Sequence, residues 1–278
     1  MPIPRRALFA TPLLTLPAQA QPAPFAALEA RHGGQLGVAV LDTGSGRGLA
    51  HRPDERFPLT STFKFLAAAL VLARVDAGEE RLDRHLAYGE SALVTYSPVT
   101  GPAAARGGLT IGEACEAAVI LSDNTAGNLM LDSFGGPAGL TAWLRRIGDA
   151  ETRLDRRETE LNEAAPGDPR DTTTPAAMLA TMRKLLLGEV LSPASRARLL
   201  GGLEACRTGD RRLRAGFPAG WRAGDKTGSG NRNATNDIAI AHPPGRAPLL
   251  VAAYYIGAEA PMAQREAVLA EVGRLASA

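Results

Sequence analysis

Strand-like segments sit only near the two ends of this 278-residue chain, and the stretch between them is helical or irregular. Residues 35–42 alternate and stop at Thr43-Gly44-Ser45-Gly46, which reads as a strand running into a turn. A second short strand follows near residues 48–52. β-Character returns only after residue 211, in segments 221–227, 235–241 and 249–256 separated by Gly/Asn and Pro/Gly turns. Turns of that kind suit antiparallel strands. Helical stretches at 25–32 and 262–275 flank the strands at the outer ends. The economical fold is therefore of the α/β (α+β) class: one antiparallel sheet built from both chain ends and flanked by terminal helices, with an all-helical region inserted. Such an arrangement leaves a cleft between the two parts, where a small-molecule site is expected.

Within the insert, residues 64–74 are apolar nearly all round and predict a buried central helix. Further helices read at 110–121, 123–133, 137–147, 174–187 and 192–205, several opened by capping residues: Thr110, Asp123, Thr174 and Ser192. The interval 148–173 is polar, charged and broken by Pro166, Gly167 and Pro169. An irregular stretch of that length inside a compact domain is usually functional. The expected division is 21–57 with 206–278 for the sheet-bearing part and 58–205 for the helical part.

Residues 1–20 do not read as fold. Arg5 and Arg6 precede an apolar run over 7–16, and Ala18-Gln19-Ala20 matches a small-residue cleavage site. The run is too short to span a bilayer. This is an export signal, with a frayed terminus or an anchor as the alternative. The adjacent arginines followed by Ala7, Leu8 and Phe9 hint at a twin-arginine signal, so either the Sec or the twin-arginine route fits. The expected location is periplasmic or secreted, with no membrane attachment after cleavage.

Composition removes several function classes. The net charge is +2, so no strong global field draws this chain towards nucleic acid. Without Arg5 and Arg6 the basic residues equal the 29 acidic ones. His32, His51, His85 and His242 lack zinc-ligand spacing, so no metal or other cofactor is expected. Cys115 and Cys206 do not by themselves establish a disulfide. Lysine occurs only at 64, 184 and 226 in an otherwise arginine-based chain. Of the two cations, only lysine readily gives up its proton inside a protein.

Two of those lysines fall inside short motifs. Ser61-Thr62-Phe63-Lys64 puts a serine at a helix start and an amine one turn later on the same face. Serine is a weak nucleophile until a base takes its proton, and an unpaired N–H at the helix start can serve an oxyanion. Read alone, this is equally a helix cap followed by a solvated lysine. Ser122-Asp123-Asn124 lies between two predicted helices and alone reads as a capping turn. Lys226-Thr227-Gly228-Ser229-Gly230 alone reads as a strand ending in a glycine turn. The three together, in this order, are far beyond chance for the composition. In the irregular interval, Glu158 and Asn162 share a face if residues 158–162 make one helical turn. A carboxylate and a carboxamide that hold one water form a hydrolytic base.

With these motifs the chain resembles a class A serine β-lactamase from about residue 24 to its C-terminus. Further matching stretches are Arg56-Phe57-Pro58-Leu59-Thr60, Leu93-Val94-Thr95-Tyr96-Ser97-Pro98-Val99, and Ala219-Gly220-Trp221. Leu154-Asp155-Arg156 and Arg170-Asp171-Thr172 bracket the family's Ω-loop, here 153–171. The resemblance implies hydrolysis of β-lactam antibiotics, penicillins and cephalosporins, through an acyl-enzyme on Ser61. It implies an oxyanion hole from the Ser61 and Ser229 N–H groups, and proton delivery to the leaving nitrogen by Ser122. Lys64 or Glu158 would be the acylation base, with Glu158 and Asn162 holding the deacylating water. Asn124 would meet the substrate's side-chain amide. Lys226, Thr227 and Ser229 would receive its carboxylate, Tyr96 would line the entrance, and an Arg156–Asp171 ion pair would pin the Ω-loop. A small-molecule β-lactam is the expected partner of a monomeric enzyme. A penicillin-binding DD-peptidase and a non-hydrolytic periplasmic β-lactam sensor share the three motifs. Glu158 and Asn162 separate them from a hydrolase.

The chain departs from the common family pattern at several positions. Thr235 stands where many members carry an arginine near the substrate carboxylate, and Arg212 occupies the position from which other members supply that charge. Both are candidate substrate contacts, with Arg212 expected to carry the charge. Thr60 and Gly230, and Ala68 opposite Cys115, remove both disulfides found in the family. Thr159 follows Glu158 where proline after a cis bond is common, so a cis Glu158–Thr159 peptide is an open expectation.

Overall fold

A computed structural model describes residues 23–278; the expected export segment lies outside the described residues. The chain enters through α1 (Ala23–His32), then β1 (Gln35–Asp42) and β2 (Gly48–His51). A two-residue strand, β3 (Phe57–Pro58), leads to a 3₁₀ turn over Thr60–Thr62 and the long α2 (Phe63–Asp76). β4 (His85–Ala87), α3 (Thr100–Ala104) and β5 (Gly108–Thr110) form a small excursion. The helical series follows: α4 (Ile111–Ile120), α5 (Asn124–Asp132) and α6 (Gly136–Arg146). After the irregular interval come β6 (Thr172–Thr173), α7 (Pro175–Leu187), α8 (Pro193–Glu204) and the short α9 (Leu213–Gly216). β7 (Arg222–Ser229), β8 (Thr235–His242), β9 (Leu249–Ile256) and α10 (Met262–Ala276) complete the chain.

The five long strands make one antiparallel sheet in the order β2-β1-β9-β8-β7. The first and last segments of the chain therefore share a sheet, with Val38 opposite Ala253. β9 shows why: all eight of its residues are buried, as a central strand covered on both faces requires. Its alternate residues feed two cores. Leu249, Val251, Ala253 and Tyr255 join the α1 and α10 side with Phe25, Leu28 and Leu269. Leu250, Ala252, Tyr254 and Ile256 join the α2 side with Phe57, Phe65 and Leu66.

α2 is the hub of the helical part. Phe63 through Leu72 are all buried, and the helix packs against α4, α5, α6 and α8. Four expected caps are made by the expected side chains: Thr110, Asp123, Thr174 and Ser192 each accept a backbone N–H three residues on. Each is worth about 1 kcal/mol. α3 was not legible in the sequence, because Gly101 and Pro102 within it read as breakers. The β3–β6 pair is too short to leave a periodic signal, yet it ties the approach to α2 to the end of the irregular interval.

That interval is held by its polar side chains. Asp171 is fully buried; its Oδ1 accepts the N–H groups of Asp155 (2.7 Å) and Arg156 (2.8 Å), and its Oδ2 accepts Arg156 Nε at 2.6 Å. Leu154 and Leu161 anchor the segment in the core. Both cysteines are buried and unpaired.

Candidate active site

The turn before α2 sets the geometry. Thr60 has φ +45°, an unusual value for a branched residue, and its hydroxyl accepts Asn236 Nδ2 at 3.0 Å. Asn236 also donates to Pro58 O at 2.8 Å, so β8 fixes this turn directly. Gly228 of β7 lies against the same turn. A Cβ there would overlap Thr60 Oγ1 and stand 3.3 Å from Ser61 N, so only glycine lets the strand end come alongside Ser61.

One helical turn on, Lys64 Nζ sits among four oxygens. It lies 2.9 Å from Ser61 Oγ, 2.9 Å from Ser122 O, 2.6 Å from Asn124 Oδ1 and 2.8 Å from Glu158 Oε1. Ser61 Oγ is 3.4 Å from Glu158 Oε1. Lys64 is completely buried, and that burial pushes its pKa below the usual lysine value, opposed chiefly by Glu158.

The corner at Ser122 is shaped by its neighbours. Ser122 has φ +60°. Asp123 behind it accepts the N–H groups of Val99 and Thr100, each at 2.9 Å, along with Thr100 Oγ1 at 2.7 Å and Ala126 N at 2.8 Å. Asn124 is spent at both ends of its amide, accepting from Lys64 and donating to Thr95 O at 2.8 Å, which leaves one N–H of Nδ2. Across the cleft, Lys226 Nζ donates to Ser122 Oγ at 3.0 Å. Lys226 is fully buried, and burial lowers its pKa to about 8. The positive charges of Lys64 and Arg212 act in the same direction.

Glu158 comes from the irregular interval, and two amides hold it. Asn162 Nδ2 donates to Glu158 Oε2 at 2.6 Å, across a single 3₁₀ turn. Asn128 brackets the Glu158 backbone: its Oδ1 accepts Glu158 N–H and its Nδ2 donates to Glu158 O, both at 2.9 Å. The Glu158–Thr159 peptide is cis. Asn162 Oδ1 is buried without a hydrogen-bond partner.

At the far end of β7, Arg212 is only 4% exposed. It donates to Gly228 O (2.8 Å), Asn236 O (2.7 Å) and Ser229 Oγ (2.8 Å). Thr227 Oγ1 meets Thr208 Oγ1 at 2.6 Å. Tyr96 stands 55% exposed at the rim, its carbonyl accepting Asn124 N–H.

Thr235 does not join this group. It is fully buried, donates to Asn233 O at 3.0 Å and accepts Arg265 Nε at 3.0 Å. Strand alternation puts Asn236 on the face of the Ser61 turn and Thr235 on the α10 face, which its register partner Ser229 shares. Arg212 reaches Ser229 directly, and Thr235 stands opposite Ser229 in the β7–β8 register. Asn128, Thr208 and Asn236 were missed by the sequence reading. Asn128 left one faint trace, standing one helical turn after Asn124 on α5; the other two left none.

The β-lactamase enzyme family profile Beta-lactamase2 matches residues 23–278. β-Lactamase AST-1 of Nocardia asteroides is 49% identical over 251 residues, spanning 90% of this chain and 81% of that one. An ancestral (GNCA) class A β-lactamase structure is 64% identical, with a TM-score of 0.88 over 90% of this chain and 96% of that chain. The class A β-lactamase of the last common ancestor of Gram-negative bacteria (GNCA4) is 62% identical, with a TM-score of 0.89 over 90% and 95%.

Proposed function

Because this chain belongs to the class A serine β-lactamase family, we propose a division of labour among its own residues. The reaction is hydrolysis of the β-lactam amide through a serine acyl-enzyme, an activity that confers resistance to β-lactam antibiotics.

Ser61 Oγ attacks the lactam carbonyl, and its proton leaves to the Lys64–Glu158 pair. The N–H groups of Ser61 and Ser229 receive the oxyanion, a contribution of about 3–4 kcal/mol per donor. The close approach of Gly228 to the Ser61 turn supports that pairing. Ser122 hands a proton to the departing nitrogen, resupplied across the 3.0 Å contact with Lys226. Glu158 and Asn162 hold the water that hydrolyses the ester. The unpaired Asn162 Oδ1 beside the Glu158 carboxylate supports this, because a buried acceptor without a protein partner is a water site.

Arg212, Lys226, Thr227 and Ser229 receive the substrate carboxylate. The remaining N–H of Asn124 meets its side-chain amide, and Tyr96 lines the entrance. The Arg156–Asp171 pair pins residues 153–171 so that Glu158 stays in place. Residues 1–20 serve as an export leader, and the mature enzyme, with its 21–57 and 206–278 layer and its 58–205 helical part, acts in the periplasm or outside the cell. Among the described residues no helix is long and apolar enough to cross a membrane.

The single observation that carries this reading is the unbroken run Ser61–Lys64–Glu158–Asn162, in which successive contacts are 2.9, 2.8 and 2.6 Å. Turnover of a chromogenic cephalosporin tests it. Repeated turnover is expected; release of a single equivalent would mean a sensor or a peptidase.

A further inference from the structure

Behind Thr227 lies a turn of which the chemistry above uses only Arg212. Residues 206–212 run between α8 and α9. Arg207 N–H donates to Ile120 O at 3.0 Å, two residues before Ser122, and Arg212 N–H donates to Gly209 O at 3.0 Å. Gly209 is pressed onto β7 so closely that a Cβ would overlap Asp225 Oδ2. Within this turn Thr208 Oγ1 stands between two partners, Thr227 Oγ1 at 2.6 Å and Cys206 Sγ at 3.3 Å. The sulfur is also 3.8 Å from Asp225 Oδ2, and Asp225 is ion-paired to Arg214.

We propose that Thr208 is a positioning residue that turns the Thr227 hydroxyl outward as a donor to the substrate carboxylate. This rests on the carboxylate-site reading above. A hydroxyl has one proton. A carboxylate only accepts, so Thr227 must give its proton to the substrate and must then accept from behind. Thr208 is the one side chain hydrogen-bonded to the Thr227 hydroxyl among the described residues, so it has to donate to Thr227. Having given its proton to Thr227, Thr208 has none left for Cys206 Sγ at 3.3 Å, and the thiol's own proton faces Asp225 Oδ2 at 3.8 Å. Burial, followed by the charge of Asp225, raises the thiol's pKa. The order is therefore Thr208 to Thr227 to substrate, with the Thr227 hydroxyl both accepting and donating.

Steady-state kinetics with a chromogenic cephalosporin and with its C4 methyl ester test the assignment in the full-length enzyme. Thr208→Val is expected to raise KM for the free acid about five- to twentyfold, with kcat within about twofold of wild type. Thr208→Ser is expected to restore KM. The ester's KM is expected to stay the same in all three enzymes, because it presents no carboxylate to orient towards. Thr208→Ala, which adds no branched methyl, repeats the measurement if the valine variant folds poorly. An unmoved KM for the free acid, or an equal rise for the ester, overturns the proposal while wild-type turnover is normal. Absent turnover by the wild type overturns the hydrolase reading and this proposal with it.

Discussion

The Nζ of Lys64 and the Oε1 of Glu158 are 2.8 Å apart, and neither side chain has any exposed surface. Lys64 belongs to a helix that begins beside the sheet, whereas Glu158 arrives on an irregular segment nearly a hundred residues later. A buried ion pair is costly unless further hydrogen bonds fill its remaining positions. Here they do: Ser61, Ser122 and Asn124 surround the nitrogen, and Asn162 holds the other carboxylate oxygen. The price of burying this pair leaves Lys64 with a lowered pKa beside a serine hydroxyl, which is the condition for drawing off the serine proton.

The second lysine sets an alkaline limit. Lys226 must be an ammonium to resupply the Ser122 proton and to attract a carboxylate, and burial leaves its pKa at about 8. Below that value the charge is present; as pH rises through it, the charge is lost. The kcat/KM for a carboxylate-bearing β-lactam is expected to fall above about pH 8, and Lys226→Arg is expected to move that limb upward. A flat profile to pH 10 contradicts the assignment.

Arg212 holds the ends of β7 and β8 through their carbonyls and still reaches Ser229 Oγ. Arg212→Ala is expected to raise KM for carboxylate-bearing substrates about tenfold or more and to lower kcat less, as loss of a charge-assisted contact does. An unchanged KM would assign the carboxylate to Lys226, Thr227 and Ser229 alone.

Asp171 is fully buried and takes two backbone N–H groups as well as Arg156. Asp171→Ala removes one partner from a buried pair and is expected to cost about 3 kcal/mol. In a chain of this size that is a fall in Tm of about 6–12 °C. Deacylation should slow as well, because Glu158 lies on the segment this pair closes. A Tm within about 2 °C of wild type would mean the clamp is not needed.

Much of this arrangement could be read from the residues, where their signals are local. The sheet strands alternate or form short apolar runs between turn residues, and four of the helices open on capping side chains that make the expected bonds. The site motifs could be read because nucleophile and amine are one helical turn apart. What could not be read depends on contacts distant in sequence. Asn128 reaches the Glu158 backbone thirty residues away, and Asn236 reaches the Ser61 turn from another strand. Neither leaves a pattern within its own segment. The Thr235 contact with Arg265 was equally illegible, because the face a strand residue takes is fixed by register and its partner there lies thirty residues on.

The most direct test is mass spectrometry of Glu158→Ala mixed with a penicillin. Glu158 is the group held against Lys64 on one oxygen and Asn162 on the other, so its loss is expected to slow deacylation about 10²- to 10⁴-fold and leave a persistent penicilloyl adduct on Ser61. Rapid return of that variant to the free enzyme, at the wild-type rate, would contradict the account.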